Sequence, residues 1–198
     1  MPSYESSLIS VVIPAYNEEK RIGYTLREIK EYFEKKRWKG EIIVVDDGST
    51  DHTLEVVEEK KKDIPNLFLL KNEKNEGKGE AVKKGMLSAK GDWVFFSDAD
   101  LSTPIEEMDK LLSFLKEGWE VVIASRALPG AEVFPRQPFF RELSGKIFNL
   151  MVRILLLPGI RDTQCGFKGF SREAARKIFS LQTLKGFAFD VEILYIGR

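Results

Sequence analysis

The sequence predicts an α/β fold, a mostly parallel sheet with helices covering both faces, and three observations carry that prediction. Short β-branched runs alternate along the chain with stretches whose apolar residues recur at three- and four-residue spacing. The short runs are almost continuously apolar, as strands buried on both faces must be, rather than alternating apolar and polar. The segments between them are long enough for helical, right-handed crossovers between parallel strands.

The elements follow in order. Leu8-Ile9-Ser10-Val11-Val12-Ile13 reads as the first strand and ends at Pro14. Ile22, Leu26, Ile29 and Phe33 then mark one face of a helix over residues 18–36. The same alternation predicts a strand over 41–45 and a helix over 51–62, then a strand over 67–70 and a helix over 79–89. A strand over 93–96, a helix over 104–115 and a last strand over 120–124 complete the series. In open sheets of this kind ligands bind beyond the carboxyl ends of the strands. The chemically informative clusters all fall there.

Composition excludes several classes. The 198 residues make one domain with room for a substantial core. Thirty-one basic residues balance thirty-one acidic ones, so nothing favours a polyanion, and no nucleic-acid partner is expected. Cys165 is the single cysteine, which excludes an intramolecular disulfide and suits a reducing compartment. Residues 1–7 lack the basic start and apolar stretch of a secretion signal. No apolar run approaches the roughly 20 residues needed to cross a bilayer. The greasiest segment, residues 147–157, is interrupted by Asn149 and Arg153 and suits a membrane surface or a core helix.

Asp98 and Asp100, one residue apart, close the apolar run Trp93-Val94-Phe95-Phe96. Two carboxylates at the end of a core strand repel each other and lose solvation, so their natural partner is a hard divalent cation with oxygen ligands. A cation held by only two side chains keeps places for waters or substrate phosphates. Taken alone, the pair also suits a capped turn before Pro104. After the first strand, Pro14-Ala15-Tyr16-Asn17-Glu18 leads into a helix, with Asn17 placed either as its N-cap or against a ligand. After the second, Asp46-Asp47-Gly48-Ser49-Thr50-Asp51 offers more carboxylates than a cap requires, suited to a base imide or ribose hydroxyl. After the third, Asn75-Glu76-Gly77-Lys78-Gly79 sets a lysine and two glycines at a helix start, where backbone amides attract phosphate. It is not a P-loop, because the glycine spacing and the Lys-Ser/Thr ending are absent, and no G-x-G-x-x-G follows the first strand.

Four segments in this order, VVIPAYNEE (11–19), IIVVDDGSTD (42–51), NEGKGEAV (75–82) and SDADLSTP (97–104), resemble the family 2 inverting glycosyltransferases, which have a GT-A, Rossmann-like fold. RDTQCGFKGF (161–170) and FAFDVEILYI (187–196) resemble the polyprenyl-phosphate branch of that family, most nearly its dolichyl-phosphate glucosylating members. The resemblance covers nearly the whole chain and implies a single catalytic domain over 1–198. Residues 1–125 form its nucleotide-sugar half, and residues 126–198 form an acceptor half that stops short of the family's usual further strand. It implies that Pro14, Tyr16, Asn17, Glu18, Asp46, Asp47, Lys78 and Asp98 bind the nucleotide sugar. Asp98, Asp100 and Ser102 would hold Mg2+ or Mn2+, and Arg126, Arg141 and Lys168 the acceptor phosphate, with Asp98, Asp100 and Arg126 catalytic. Mannosyl-transferring relatives typically carry glutamine where this chain has Ser102, so the resemblance favours glucose from UDP-glucose, with GDP-mannose as the alternative.

The implied reaction moves the hexose, with inversion, to a polyprenyl or dolichyl monophosphate at the cytoplasmic face of a membrane. Such a phosphate, with a second pKa of about 6, is largely ionised near neutrality and needs no strong protein base. The lone histidine, His52, is then expected at the surface rather than in catalysis. Arg126, Arg141, Arg161 and Lys168 supply cations near the apolar stripe that begins at Phe139-Phe140, and Phe134-Pro135-Arg136-Gln137-Pro138 suits a loop over the acceptor. The other readings are a nucleotide-sugar binding module without turnover, and transfer to a soluble hydroxyl with Asp162 or Asp190 as base.

Overall fold

The structure, a computed structural model, describes residues 7–125, 156–160 and 162–198. Its elements are β1 (Leu8–Ala15), α1 (Ile22–Lys36), β2 (Lys39–Asp46), α2 (Thr53–Lys60), β3 (Leu67–Lys71), α3 (Lys78–Ser88) and β4 (Trp93–Ser97). They continue with α4 (Glu107–Lys116), β5 (Val121–Ile123), β6 (Phe167–Ser171), α5 (Arg172–Leu181) and α6 (Phe189–Ile196). The strands form one sheet in the order β3-β2-β1-β4-β6-β5. β1, β2, β3 and β4 pair in parallel, while β6 runs antiparallel to both β4 and β5.

The near-continuous apolar strands are explained by two cores. Val11 and Ile13 of β1, Ile42 and Val44 of β2 and Phe95 of β4 point to one face, against Ile22, Leu26 and Ile29 of α1 and Leu112 of α4. Val12, Ile43, Val45, Val94 and Phe96 point to the other, against Val82 and Met86 of α3, Phe179 of α5 and Phe189 of α6. Each of β1, β2 and β4 thus alternates between two apolar layers, so it carries no polar face.

Two expectations are corrected here. The first helix starts at Ile22, not at residue 18, because residues 16–21 form a loop tied to its neighbour. The sheet also gains β6, inserted antiparallel between β4 and β5, which periodicity does not reveal. Its centre, Lys168-Gly169, combines a charge and a glycine, both poor strand signals. Gly169 is required by packing, since a Cβ there would come 2.5 Å from the Phe95 ring. No helix among the described residues is long and apolar enough to cross a membrane. Arg126, Arg141, Arg161, the loop 134–138 and the stripe from Phe139 to Leu155 lie outside the described residues.

Candidate active site

The chain order reverses at β1, which has β2 on one side and β4 on the other, and a crevice opens beyond the carboxyl ends of strands at such a point. A cleft of about 470 Å3 lies there. One wall comes from Pro14 at the end of β1 with Tyr16 and Glu18 after it, and another from Asp98, Ala99 and Asp100 after β4. Asp47, Asn75, Gly77 and Lys78 close a third side, and Gly186 and Phe187 stand at the rim. The structure therefore gathers Pro14, Tyr16, Glu18, Asp47, Lys78, Asp98 and Asp100 in one place. Arg21, Gly186 and Phe187 join them without having been expected at the site: Arg21 precedes a helix whose periodicity says only which face is buried, and Phe187, which opens the FAFDVEILYI segment, is 73% exposed.

The Asp98–Asp100 turn is built tightly. The Leu101 amide donates to the Asp98 carbonyl, with Leu101 at a φ of 47°, a costly conformation for a branched side chain. Asp100 Oδ1 accepts from the Ser102 amide at 3.0 Å and from its hydroxyl at 2.7 Å. Ser102 thus braces Asp100 and is not among the residues that line the cleft. From below, the buried Thr25 hydroxyl donates to the Ala99 carbonyl at 2.6 Å. Replacing Thr25 by valine leaves that carbonyl unpaired at similar volume, so unfolding experiments should show a loss of about 1–3 kcal/mol. An unchanged denaturation midpoint would show that this contact does not hold the turn.

Electrostatically, the cleft is an acidic group with resident counter-charges. Lys78 Nζ lies 2.6 Å from Asp98 Oδ1, an oxygen that is buried and receives no directed hydrogen bond. Arg21 is held by both oxygens of Glu18, at 2.7 and 2.9 Å, and its remaining nitrogen faces Asp100 Oδ2 at 3.6 Å. Burial pushes the Glu18 carboxyl above its ordinary value of 4.5; Arg21 opposes this, and the charges of Asp100 and Asp98 add to it. Among the described residues no three His, Cys, Asp or Glu side chains converge as metal ligands. The donor set nevertheless fits a hard divalent ion. Asp98 and Asp100 offer carboxylate oxygens on one cleft wall, one of them buried without a directed donor, and substrate oxygens would complete the shell.

Several of the expected ligands also act as braces. Asn17, at a φ of 56°, is not an N-cap: its side-chain oxygen accepts from the Thr50 amide at 2.9 Å and its own amide donates to Ser49 Oγ at 3.0 Å. With Glu18 N to Thr53 Oγ1 and Glu19 N to Asp51 Oδ2, it locks the β1–α1 loop onto the β2–α2 loop. Asp46 is buried and caps its own turn, Oδ2 accepting from the amides of Gly48 and Ser49. Asp47 accepts from Asn72 Nδ2 and the amides of Glu76 and Gly77, so its carboxylate organises the loop before α3.

The α3 start is likewise used internally. The amides of Gly79 and Glu80 donate to the Lys185 carbonyl at 2.6 and 3.3 Å, so phosphate capture by these amides is corrected. A Cβ on Gly79 would stand 2.5 Å from the Leu184 carbonyl, which is why glycine is needed where residues 182–187 cross the helix. That crossing segment is pinned by Glu192, which accepts from the Thr183 hydroxyl and from the amides of Thr183 and Leu184. Burial raises the Glu192 pKa, but these hydrogen bonds, helped by Lys83, outweigh it and leave the value below 4.5.

Because the folded value is the lower one, the stabilisation by Glu192 is complete above about pH 4.5 and is lost as pH falls through the folded value. Amide exchange at Thr183 and Leu184, corrected for intrinsic rates, should accelerate in that acid window and lose the pH step in Glu192→Gln. A step that survives the substitution would place the titrating group elsewhere.

Lys168 is also corrected. It is fully buried, with Nζ 2.5 Å from Asp190 Oδ1, 2.6 Å from the Cys165 carbonyl and 5.0 Å from the centre of the Phe96 ring. An ammonium so enclosed is not available to an acceptor phosphate. Asp190, 3% exposed and paired with it, is correspondingly no free base. Burial pushes the Asp190 carboxyl up against the opposing pull of Lys168. His52 is exposed at the start of α2, away from the cleft lining.

A mixed sheet of mostly parallel strands with paired aspartates beyond its central strand is the GT-A glycosyltransferase architecture. The chain belongs to glycosyl transferase family 2, whose family profile matches residues 10–179. It is 40% identical over 202 residues to a dolichyl-phosphate beta-glucosyltransferase of Trichomonas vaginalis, covering 96% of this chain and 61% of that protein. It is 38% identical over 203 residues to the dolichyl-phosphate beta-glucosyltransferase of Homo sapiens, covering 96% of this chain and 63% of that protein. The chain thus spans about three fifths of the length of these relatives. Among solved structures, glucosyl-3-phosphoglycerate synthase from Mycobacterium tuberculosis, in complex with Mn2+, uridine diphosphate and glucosyl-3-phosphoglycerate, superposes with a TM-score of 0.68. That match has 26% identity and covers 96% of this chain and 64% of that one.

Proposed function

We propose that this chain carries the sugar-transferring domain of a dolichyl-phosphate glucosyltransferase. It would take glucose from UDP-glucose and pass it, with inversion, to a polyprenyl or dolichyl monophosphate at the cytoplasmic face of a membrane. The observation that supports this reading best is the convergence of Asp98, Asp100, Lys78 and Glu18 on one cleft at the sheet's switch point, in a chain whose relatives bear that activity in their names.

Asp98 and Asp100 would hold Mg2+ or Mn2+, which when bound supplies Lewis-acid stabilisation of the leaving diphosphate. The chain's own groups do the rest. Tyr16 and Pro14 offer an apolar wall for the nucleoside, and the Asp47 brace fixes the loop that presents Lys78. Lys78 adds positive charge where the diphosphate becomes more negative, a stabilisation greatest in the transition state. A phosphate nucleophile is already ionised, so the absence of an unpaired carboxylate base at Asp190 fits this acceptor better than a sugar hydroxyl. Arg126 and Arg141 would meet the acceptor phosphate, and a membrane surface would present it.

The test is UDP release by the purified chain with Mn2+, comparing UDP-glucose with GDP-mannose and adding or omitting polyprenyl phosphate. Release that needs both UDP-glucose and the lipid phosphate is expected. Release with GDP-mannose alone would move the assignment to mannose, and donor binding without release would reduce the chain to a binding module.

A further inference from the structure

We propose that Lys78 is a transferable cation: it neutralises Asp98 while the cleft holds no divalent ion, and it passes to the donor diphosphate when that ion takes Asp98. This rests on the donor-site reading above and deepens it. Lys78 Nζ sits 2.6 Å from Asp98 Oδ1, and among the described residues Asp98 is its sole ion-pair partner. Asp98 Oδ1 is buried and lacks a directed hydrogen bond, so the ammonium is its main compensation. A divalent ion bound to the same carboxylate would repel the ammonium at this range, so the two cations compete for Asp98.

Among the described residues, two carboxylates of this site are already engaged and offer the displaced lysine no free place. The nearby carboxylate of Asp190 is already matched by Lys168 at 2.5 Å, and Glu18 is held on both oxygens by Arg21. Arg21 itself is anchored by that two-point contact, so it remains beside Asp100 as a fixed charge. Lys78 differs, since its ammonium ends a four-carbon stem at the first residue of α3 and lies over the face of Phe187, 5.9 Å from the ring centre. A diphosphate brought in by the ion supplies the negative charge that Asp98 no longer shares. Ion and nucleotide binding are thereby linked, each removing the other's competitor or supplying the other's partner.

The linkage gives a pair of effects with opposite signs, which a static surface ion pair would not produce. In titrations of the whole chain followed by Mn2+ electron paramagnetic resonance, Lys78→Met should bind free Mn2+ several-fold more tightly than wild type. In calorimetry with Mn2+ saturating, the same variant should bind UDP about tenfold more weakly or worse, the scale of one lost charged hydrogen bond. Lys78→Arg, which keeps the charge, should retain both wild-type affinities. Free Mn2+ affinity that is unchanged or weakened in Lys78→Met, or UDP affinity that is unaffected, overturns the transfer while leaving the donor site standing. A wild-type chain that binds neither Mn2+ nor UDP overturns the donor site, and the transfer with it.

Discussion

Asp100→Asn is expected to lower metal-supported turnover by about a thousandfold while leaving the fold unchanged, since metal stabilisation of a leaving group is worth several kcal/mol and each 1.36 kcal/mol is tenfold. The substitution removes one charge without changing size. Asparagine's oxygen can still accept from the Ser102 amide and hydroxyl, so the Asx turn at this position persists. Asp100 is partly solvent-exposed, and substitutions at such places away from core features usually move stability by no more than about 0.5 kcal/mol. The measurements are UDP release in the presence of Mn2+ and the urea midpoint. Normal turnover with normal stability would show that Asp100 does not hold the ion, and the donor-site assignment would have to move.

The second large effect concerns stability. Lys168→Met should destabilise the chain by about 3–5 kcal/mol, because it leaves the buried Asp190 carboxylate without its partner. Against a typical domain stability of about 5–15 kcal/mol, this is a large fraction. The pair joins β6 to α6, and its lysine also holds the Cys165 carbonyl, next to the Gly166 carbonyl that accepts the Asp98 amide. The double replacement Lys168→Met with Asp190→Leu removes both charges and should recover most of the loss. Denaturant midpoints for the two single variants and the double variant decide it. A double variant as unstable as the singles would mean that the loss is one of packing shape rather than of an abandoned charge.

The strand and helix sequence around the cleft was legible because burial on both faces leaves a strong mark. Val11 and Val12 face different cores, so β1 is almost continuously apolar, and Ile22, Leu26 and Ile29 recur at the helical period. β6 was not legible because its identity depends on a partner: Lys168 is tolerable in a strand only with Asp190 beside it, and Gly169 only with Phe95 against it. The same distinction runs through the cleft. Asp98, Asp100, Lys78, Glu18, Pro14, Tyr16 and Asp47 came together as their positions at strand ends required, whereas Asn17, Asp46, Ser102 and Lys168 proved to be occupied with neighbouring amides, hydroxyls and charges.

By itself, then, the sequence determined most of the elements, the parallel character of the first half and the rim at which chemistry gathers, because periodicity and strand-end residues are local properties of the chain. Only the tertiary structure decided which polar groups face the cleft and which are consumed in holding it. Hydrogen-bond and ion-pair partners are set by contacts between residues as distant as Asp98 and Gly166 or Gly79 and Lys185, and no local pattern encodes them.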